Sequence, residues 1–528
     1  MGSSTEDQKE GEARHGALTY DKEQAEHGII INASGHKQEL ERQFSLVSMC
    51  AVGVVTGNAW AALGGSIALA VFNGGPPGVI YEFIAVSVFY WIIAACLAEL
   101  SSAIPSSAGV YHWASVTGGR AWGKSLSWFA GWWNFFAWVF GAASISSILA
   151  NQIITMWMLF RPDYSPQPWH VFIVYVILTW ACAATVLFAN KGLPALNDVM
   201  LFLILAGVLI TILVCAIMPT TTGSGYASNA AVWSDWQNGT GWPDGFAFVA
   251  GMLNGAFAVG TPDCTTHLAE EIPNPRTNIP KAIGIQMGIG FFTTIFYLIA
   301  IFYSINDFTG VTDAGFPNPL GEVYRQATNS RGGSLGLLIV IFLPTLGTCI
   351  GAYITAGRML YTLARDDATP FSNWTKQIHP RYRNPFNATL VCAVICTILA
   401  AIQVGNTTAF TAFVGSFVVL TTASFVCAIL PYLLTGRKYV VPGPFFMPNA
   451  IAYPLLALAN GYIISFIVIF CFPAALPFDA VTMNYVSVVI GGITIFISVW
   501  WFIKSKRGYQ SPTELVMKSM GVVSIDDK

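Results

Sequence analysis

The chain has 528 residues, of which 54% are hydrophobic and only 10% are charged, and its formal net charge is -2. Its mean hydropathy is +0.59. Soluble globular proteins carry about 25% charged residues, so this composition excludes a soluble enzyme and is typical of a polytopic membrane protein in a lipid bilayer, with no nucleic-acid partner.

Polar tails flank the apolar part of the chain. Residues 1–43 mix Glu, Lys and Gly and contain no short apolar segment with a cleavage site. We therefore predict a disordered cytoplasmic N-terminal tail and no cleaved signal peptide. Residues 504–528 are predicted to form a short cytoplasmic C-terminal tail, and residues 44–503 a membrane domain of twelve helices.

Twelve apolar segments have the length of about 20 residues that a helix needs to cross a bilayer. The sequence therefore predicts an all-α membrane protein with twelve spans. In chain order, the spans are 44–72, 77–102, 124–154, 168–189, 194–218, 244–270, 281–305, 334–363, 386–404, 407–435, 449–473 and 481–503.

The distribution of basic residues predicts the orientation of these spans. An even number of spans places both termini on the same side of the membrane. Of the 25 Lys and Arg residues, only Arg161, Arg325 and Arg331 lie in loops that follow odd-numbered spans. Because basic loops stay on the cytoplasmic side, we predict that both termini are cytoplasmic.

Two spans contain residues that disfavour a continuous helix. The first span carries Gly53 and Gly57 before Asn58, and the sixth carries Gly260 and Pro262. Glycine weakens a helix and proline removes a backbone donor, so we predict a short unwound segment in each span. Unwound backbone inside a membrane is tolerated where it lines a cavity, and paired breaks of this kind mark the substrate sites of transporters.

The positions of the two breaks also predict an internal repeat. Spans 1–5 can be laid over spans 6–10 with the breaks in register. Because five is odd, the second set inserts with the opposite orientation, which makes an inverted repeat. Spans 11 and 12 lie outside it.

Other sequence features predict no metal or cofactor. All ten cysteines lie in apolar spans and none forms a CxxC pair, so we expect neither disulfides nor a zinc site. Asn238 belongs to the one Asn-x-Thr sequence in a sizeable outer loop and is a candidate for glycosylation.

Several motifs resemble those of the amino acid–polyamine–organocation superfamily of permeases. The sequence AELSSAIPSSAGVYHW is similar to the signature that follows the second span in that family, with Ala108 in place of the first of two glycines. Segment 364–371, with His379 and Pro380, is similar to the family's loop after the eighth span. Segment 263–275 resembles the amino acid/choline transporter branch, and segments 73–83 and 130–134 are closest to fungal choline permeases.

The resemblance covers residues 44–505 and implies a LeuT-like 5+5 inverted repeat with two added helices. It also implies transport of choline, GABA or another amino acid. Some proton-coupled relatives carry a lysine in the fifth span, but this chain has none between Pro194 and Met218. Proton coupling would then rest on protonation of Asp263 or Glu82, and the membrane potential alone could drive a cation.

The candidate substrate site lies at the two breaks. Asp263 is the acid best placed to meet a cation, with the capping of a following half-helix as its alternative role. Trp60 and Phe257 flank the breaks and are candidates for an aromatic cage around a quaternary ammonium group, with helix packing as the alternative. Other candidate site residues are Val55, Thr56, Gly57, Asn58, Glu82, Trp133 and Gly260.

Acidic residues near the ends of the spans have a different predicted role. Glu99, Asp198, Glu270 and Glu271 lie near the predicted cytoplasmic ends, where we expect them to anchor loops or pair with Arg and Lys.

The main hypothesis is a plasma-membrane permease that imports a small amine, above all choline, by alternating access. GABA or another amino acid is the alternative substrate. A nutrient sensor that binds without transporting is the alternative of another class, and the absence of a nucleophile–base or metal constellation speaks against an enzyme.

Overall fold

A computed structural model of the chain describes residues 45–69, 72–405, 409–479, 483–506 and 509–519. The predicted N-terminal tail, 1–43, lies outside the described residues, as does the end of the C-terminal tail. Among the described residues, eleven helical segments are long and apolar enough to cross a membrane. The remaining predicted span, the sixth, is represented by a shorter apolar helix, Asp244–Val259.

The helices follow the twelve predicted spans closely, and the largest differences are the earlier ends of spans 1 and 6 and the earlier start of span 7. Proline stands in the first turn of several helices, where its missing donor costs nothing. In chain order, the spans are Leu46–Thr56 with Ala59–Gly65, Gly75–Ala103, Gly119–Met158, Pro168–Phe188, Leu193–Thr222, Asp244–Val259, Pro275–Tyr303, Arg331–Arg365, Phe386–Gly405, Ala409–Leu434, Asn449–Ile469 and Val486–Ser505.

Short elements fill the connections between the spans. Two strands of two residues each, β1 (Asn73–Gly74) and β2 (Gln237–Asn238), form an antiparallel pair. In β2, the Asn238 amide nitrogen donates to the carbonyl of Trp242 at 2.7 Å and to Asp244 at 2.9 Å. The short helices are Val110–Thr117, Asn229–Trp233, Phe308–Asp313, Leu320–Thr328, Ser372–Thr375 and Pro512–Ser519.

The packing of the spans has the symmetry of an inverted repeat. Span 1 contacts spans 5 and 7, and span 6 contacts spans 10 and 2. Span 3 packs on spans 4 and 10, while span 8 packs on spans 9 and 5. Spans 2 and 7, 3 and 8, and 4 and 9 pack on each other. Each of these pairs maps onto another, or onto itself, when five is added to or subtracted from the span numbers, as a pseudo-two-fold axis requires.

Spans 11 and 12 lie at the outside of this repeat. Span 11 packs on spans 2 and 10, and span 12 packs on spans 3 and 10. The fold is therefore the predicted LeuT-like 5+5 inverted repeat with two added helices.

The first span breaks over two residues. Its first helix ends at Thr56, and its second begins at Ala59. Between them Gly57 and Asn58 leave the helical conformation, with ψ values of 40° and 78°. The predicted break is therefore present and is shorter than the glycine pattern suggested, since Gly53 remains helical.

The sixth span differs from its prediction after the break. The helix ends at Val259, and no α-helix follows until Pro275 in the described structure. The residues between form turns and a short 3-10 segment, Thr266–Leu268. The predicted second half-helix is therefore wrong, and Asp263 caps no α-helix. The helical part, 16 residues, is only about 24 Å long at 1.5 Å per residue, so the unwound chain completes the crossing.

The loops after even-numbered spans meet at one end of the bundle, here called the basic face. Arg276 donates to the carbonyl of Ser102 at 3.1 Å, and the hydroxyls of Tyr111 and Tyr509 are 2.8 Å apart. These contacts join the loops after spans 2 and 6 and the C-terminal segment, which agrees with their predicted placement on the same side.

Candidate functional site

Gln286 of span 7 connects the two breaks. Its side-chain amide donates to both the carbonyl and the hydroxyl of Thr261, each at 2.9 Å. Unwound backbone inside a membrane protein needs such donors, because no water replaces the lost helical bonds. A Cβ at Gly57 would overlap the Gln286 amide, so a glycine at the first break lets span 7 reach the second.

We expect Gln286→Leu to destabilise the protein, since leucine cannot donate to Thr261. An unsatisfied buried carbonyl costs about 1–3 kcal/mol, which should lower the apparent melting temperature in detergent by a few degrees. Gln377→Leu is the matched control, because Gln377 donates to the Asn373 carbonyl from an exposed position. Equal melting temperatures for the two variants would contradict this role of Gln286.

A small cavity lies beside the breaks, with walls from spans 1, 3, 6, 8 and 10. Its volume is about 20 Å³, which holds one or two water molecules, so this conformation is closed around the site. The lining residues are all buried or nearly so: Thr56, Ala62, Trp138, Gly141, Ile145, Phe257, Ala258, Thr261, Thr348, Ala352 and Phe417.

Three aromatic rings form one wall of this cavity. Phe257 meets Phe417 edge to face, with centroids 5.6 Å apart, and Trp138 meets Phe417 in the same way at 5.8 Å. Spans 3, 6 and 10 therefore each contribute a ring. No Lys, Arg or His is among the lining residues, so the wall presents aromatic surface and no positive charge.

Asp263 lies directly behind this aromatic wall. The carboxylate oxygen Oδ2 accepts from Asn134 at 2.8 Å and from the indole of Trp138 at 3.3 Å. His267 Nε2 is also 3.3 Å from Oδ2. The other oxygen, Oδ1, is buried and has no partner among the described residues. Asp263 does not itself line the cavity, but the cavity residue Trp138 is bonded to it.

Two polar side chains at the first break also lack partners in the described structure. They are the Thr56 hydroxyl and both amide atoms of Asn58. Thr56 lines the cavity, and Asn58 provides no cap to the helix that follows it. These groups can bind a polar ligand, since burying them without partners is unfavourable.

Three predicted site residues lie away from the cavity. Trp60 is fully buried, and its ring packs edge-on against Tyr297 of span 7 at 5.2 Å. Trp133 donates to Thr494 of span 12 at 3.2 Å. Val55 accepts from Thr348 through its carbonyl at 2.9 Å. The structure thus gives these residues packing contacts, whereas Phe257 and Thr56 line the cavity.

Glu82 also lies outside the cavity lining. Its carboxyl group is buried in span 2 against Gly251 of span 6, where a Cβ would overlap it. Neither carboxyl oxygen has a partner among the described residues. An ionised carboxylate buried without a partner is strongly unfavourable in a membrane span.

Sequence reasoning placed Gly260 correctly at the second break but did not select three residues that shape the site. Gly260 follows the last helical residue, and a side chain there would collide with the Ala256 carbonyl. These three residues are Phe417, Gln286 and Trp138; Trp138 was one of several aromatic candidates in span 3, for which helix packing was favoured. A buried Gln amid an apolar span was a usable signal, whereas nothing distinguishes Phe417 from the many other aromatic residues of the chain.

Buried ion pairs close the bundle toward the basic face. Arg358 of span 8 binds Glu271 through two bonds, of 2.5 and 2.9 Å. Arg365 pairs with Glu270 at 3.2 Å.

Two further acids near this face are also engaged. Arg437 pairs with Glu99, and Asp198 accepts from Ser48 at 3.1 Å. The predicted pairing with arginine is therefore confirmed for Glu99, Glu270 and Glu271, whereas Asp198 accepts from a serine of span 1.

Comparisons with known proteins agree with this architecture. The model of the family described as amino acid permease matches residues 44–495. A choline transporter of Saccharomyces cerevisiae is 29% identical over 91% of this chain and 85% of its own. An amino-acid permease BAT1 homolog of Oryza sativa subsp. japonica is 26% identical over 90% of this chain and 94% of its own. An uncharacterised amino-acid permease of Schizosaccharomyces pombe is 26% identical over 90% of this chain and 84% of its own.

These relatives are membrane transporters and not enzymes, and the match covers nearly all twelve spans. The broken first and sixth spans, the cavity beside them and the inverted repeat fit that class. The chain therefore belongs to the amino acid permease family, within the amino acid–polyamine–organocation superfamily.

Proposed function

We propose that this permease imports choline across the plasma membrane by alternating access. The observation that carries the proposal is the aromatic wall of Trp138, Phe257 and Phe417 in front of the buried carboxylate of Asp263. Aromatic faces bind quaternary ammonium groups, at about 0.5–2 kcal/mol for each contact. The similarity to a yeast choline transporter supports the same substrate.

In this proposal Phe257 and Thr56 contact the substrate, Asp263 supplies the negative charge, and the breaks at Gly57 and Gly260 allow the surrounding helices to move. The cavity is too small for choline in the closed conformation, so binding requires that the walls separate. The basic face is assigned to the cytoplasm, with both termini there.

GABA or another amino acid is the second candidate substrate. The unpartnered amide of Asn58 and the hydroxyl of Thr56 are suited to a carboxylate or a hydroxyl group. The rice and fission yeast relatives carry amino-acid permease names. No basic side chain lines the cavity, however, which disfavours a substrate that needs a full counter-charge for its carboxylate.

Uptake of labelled choline into a transporter-deficient host tests the proposal. We expect saturable uptake that unlabelled choline inhibits well, ethanolamine less well, and GABA and basic amino acids poorly. Strong GABA uptake without choline uptake would assign the second candidate. Saturable uptake by purified protein in proteoliposomes would also dismiss the nutrient sensor, which binds without transporting.

A further inference from the structure

His267 faces a hydrogen-bond acceptor at each of its ring nitrogens. Nδ1 is 3.1 Å from the carbonyl oxygen of Ser107, and Nε2 is 3.3 Å from Oδ2 of Asp263. Both side chains are fully buried. Gly109 lets the loop after span 2 come this close, since a Cβ there would press on His267 and Thr266.

Counting protons in this arrangement gives a definite charge. A carbonyl can only accept, so Nδ1 of His267 must carry a hydrogen. If Asp263 is ionised, Nε2 must carry a second hydrogen, and the ring is an imidazolium. If Asp263 is protonated, its hydroxyl donates to Nε2. In both cases the pair holds one proton more than a neutral ring beside a carboxylate, and its net charge is zero.

We propose that His267 and Asp263 share one proton in the substrate-free protein and that a cationic substrate displaces this proton to the solvent. The proposal rests on the proposed function, which supplies the cation. A cation at Oδ1 of Asp263 stabilises the carboxylate and repels a second positive charge, so the proton and the substrate are alternative occupants. The site then stays neutral in both states, which avoids burying an unpaired charge.

The other groups around the pair leave this charge balance unchanged. Asn134 and Trp138 of span 3 are neutral donors to Asp263. The titratable neighbours Tyr90 and Cys264 are neutral when protonated, and each interacts electrostatically with Asp263. The charged groups nearby are paired with one another, as Glu270 with Arg365 and Glu271 with Arg358.

Proton release on binding is the direct test. Choline is added to the purified wild-type protein in a weakly buffered solution that contains a pH indicator. We expect about one proton released for each choline bound. Choline binding without proton release, or with proton uptake, would overturn the inference and leave the proposed function intact. Absence of choline binding would overturn the proposed function. It would also overturn the displacement of a proton by choline, which depends on that function.

His267→Gln tests whether the imidazole holds this proton, because glutamine cannot bind a proton and leaves Asp263 as the one titratable member of the pair. As pH falls, the wild-type Kd for choline should rise by up to about tenfold per pH unit, which is the limit for competition with one proton. In His267→Gln the proton can rest only on Asp263, so the pH range over which the Kd for choline rises should differ from that of the wild type.

His379→Gln, in a loop of the basic face, is the matched control and should behave like the wild type. An unchanged pH dependence of the Kd for choline in His267→Gln would overturn the assignment to this pair and point to another acid, with Glu82→Gln as the next variant. If His267→Gln does not fold, proton release by the wild type decides alone.

Discussion

Asp263→Asn should reduce choline uptake about 10- to 100-fold while the amount of protein at the cell surface stays normal. Asparagine keeps the size of the side chain and can still accept from Trp138 and Asn134. It removes the negative charge that the proposed function needs, and an interaction with a charged group is worth about 1.5–3 kcal/mol. Initial uptake rates, normalised to surface protein, measure the effect.

Asp235→Asn is the control for this experiment. Asp235 is an exposed carboxylate in the loop before span 6, so its substitution should leave uptake unchanged. Uptake by Asp263→Asn within twofold of the wild type would show that the substrate does not depend on this carboxylate.

Arg358→Met should cause the largest loss of stability among single substitutions near the basic face. It leaves Glu271 buried without its two-bond partner, and both side chains are about 2% exposed. Breaking a buried ion pair from one side costs about 3–5 kcal/mol, because the remaining charge has no compensation. We expect most of the variant to misfold and aggregate. Size-exclusion chromatography of a fluorescent fusion measures this as the loss of the monodisperse peak.

The double variant Arg358→Met with Glu271→Leu distinguishes two causes of the stability loss: the buried charge of Glu271 and the lost packing of the Arg358 side chain. Replacing both members of a buried ion pair by apolar residues is often neutral or stabilising. The double variant should therefore recover much of the monodisperse protein that the single variant loses. A double variant that is no better folded than Arg358→Met would mean that packing around Arg358, and not the loss of the Arg358–Glu271 ion pair, causes the loss of folded protein.

The membrane spans and the two breaks were predictable because their causes are local. A run of about 20 apolar residues must form a helix in a bilayer, whatever its neighbours are. Gly57 and Gly260 disfavour a helix through their own backbone. Twelve spans and both breaks therefore follow from composition along the chain, and the helix ends differ from prediction by only a few residues at most positions.

The path of the chain after Gly260 was not predictable in the same way. A half-helix after the second break was expected, yet residues 260–274 adopt turns and one short 3-10 segment. Tertiary contacts supply the missing donors and acceptors here: Gln286 binds Thr261, and Asn134 binds Asp263. Because these partners lie on other spans, no local pattern near residue 260 indicates that the turns are stable.

The choice among aromatic residues also depended on tertiary structure. Trp60 and Phe257 both flank a break, but Phe257 faces the cavity and Trp60 faces Tyr297. The orientation of a ring around a helix is set by the spans that surround it, and a chain with 14% aromatic residues offers many equivalent candidates.

The sequence by itself determined that this protein crosses a membrane twelve times, is broken at two related places and resembles a permease, since hydropathy, backbone preference and motif spacing act within one segment. Only the tertiary structure decided which side chains meet at the breaks. Asp263, His267 and Ser107 come from segments separated by as many as 160 positions, and the proton that they imply exists only because folding places two acceptors against one imidazole ring.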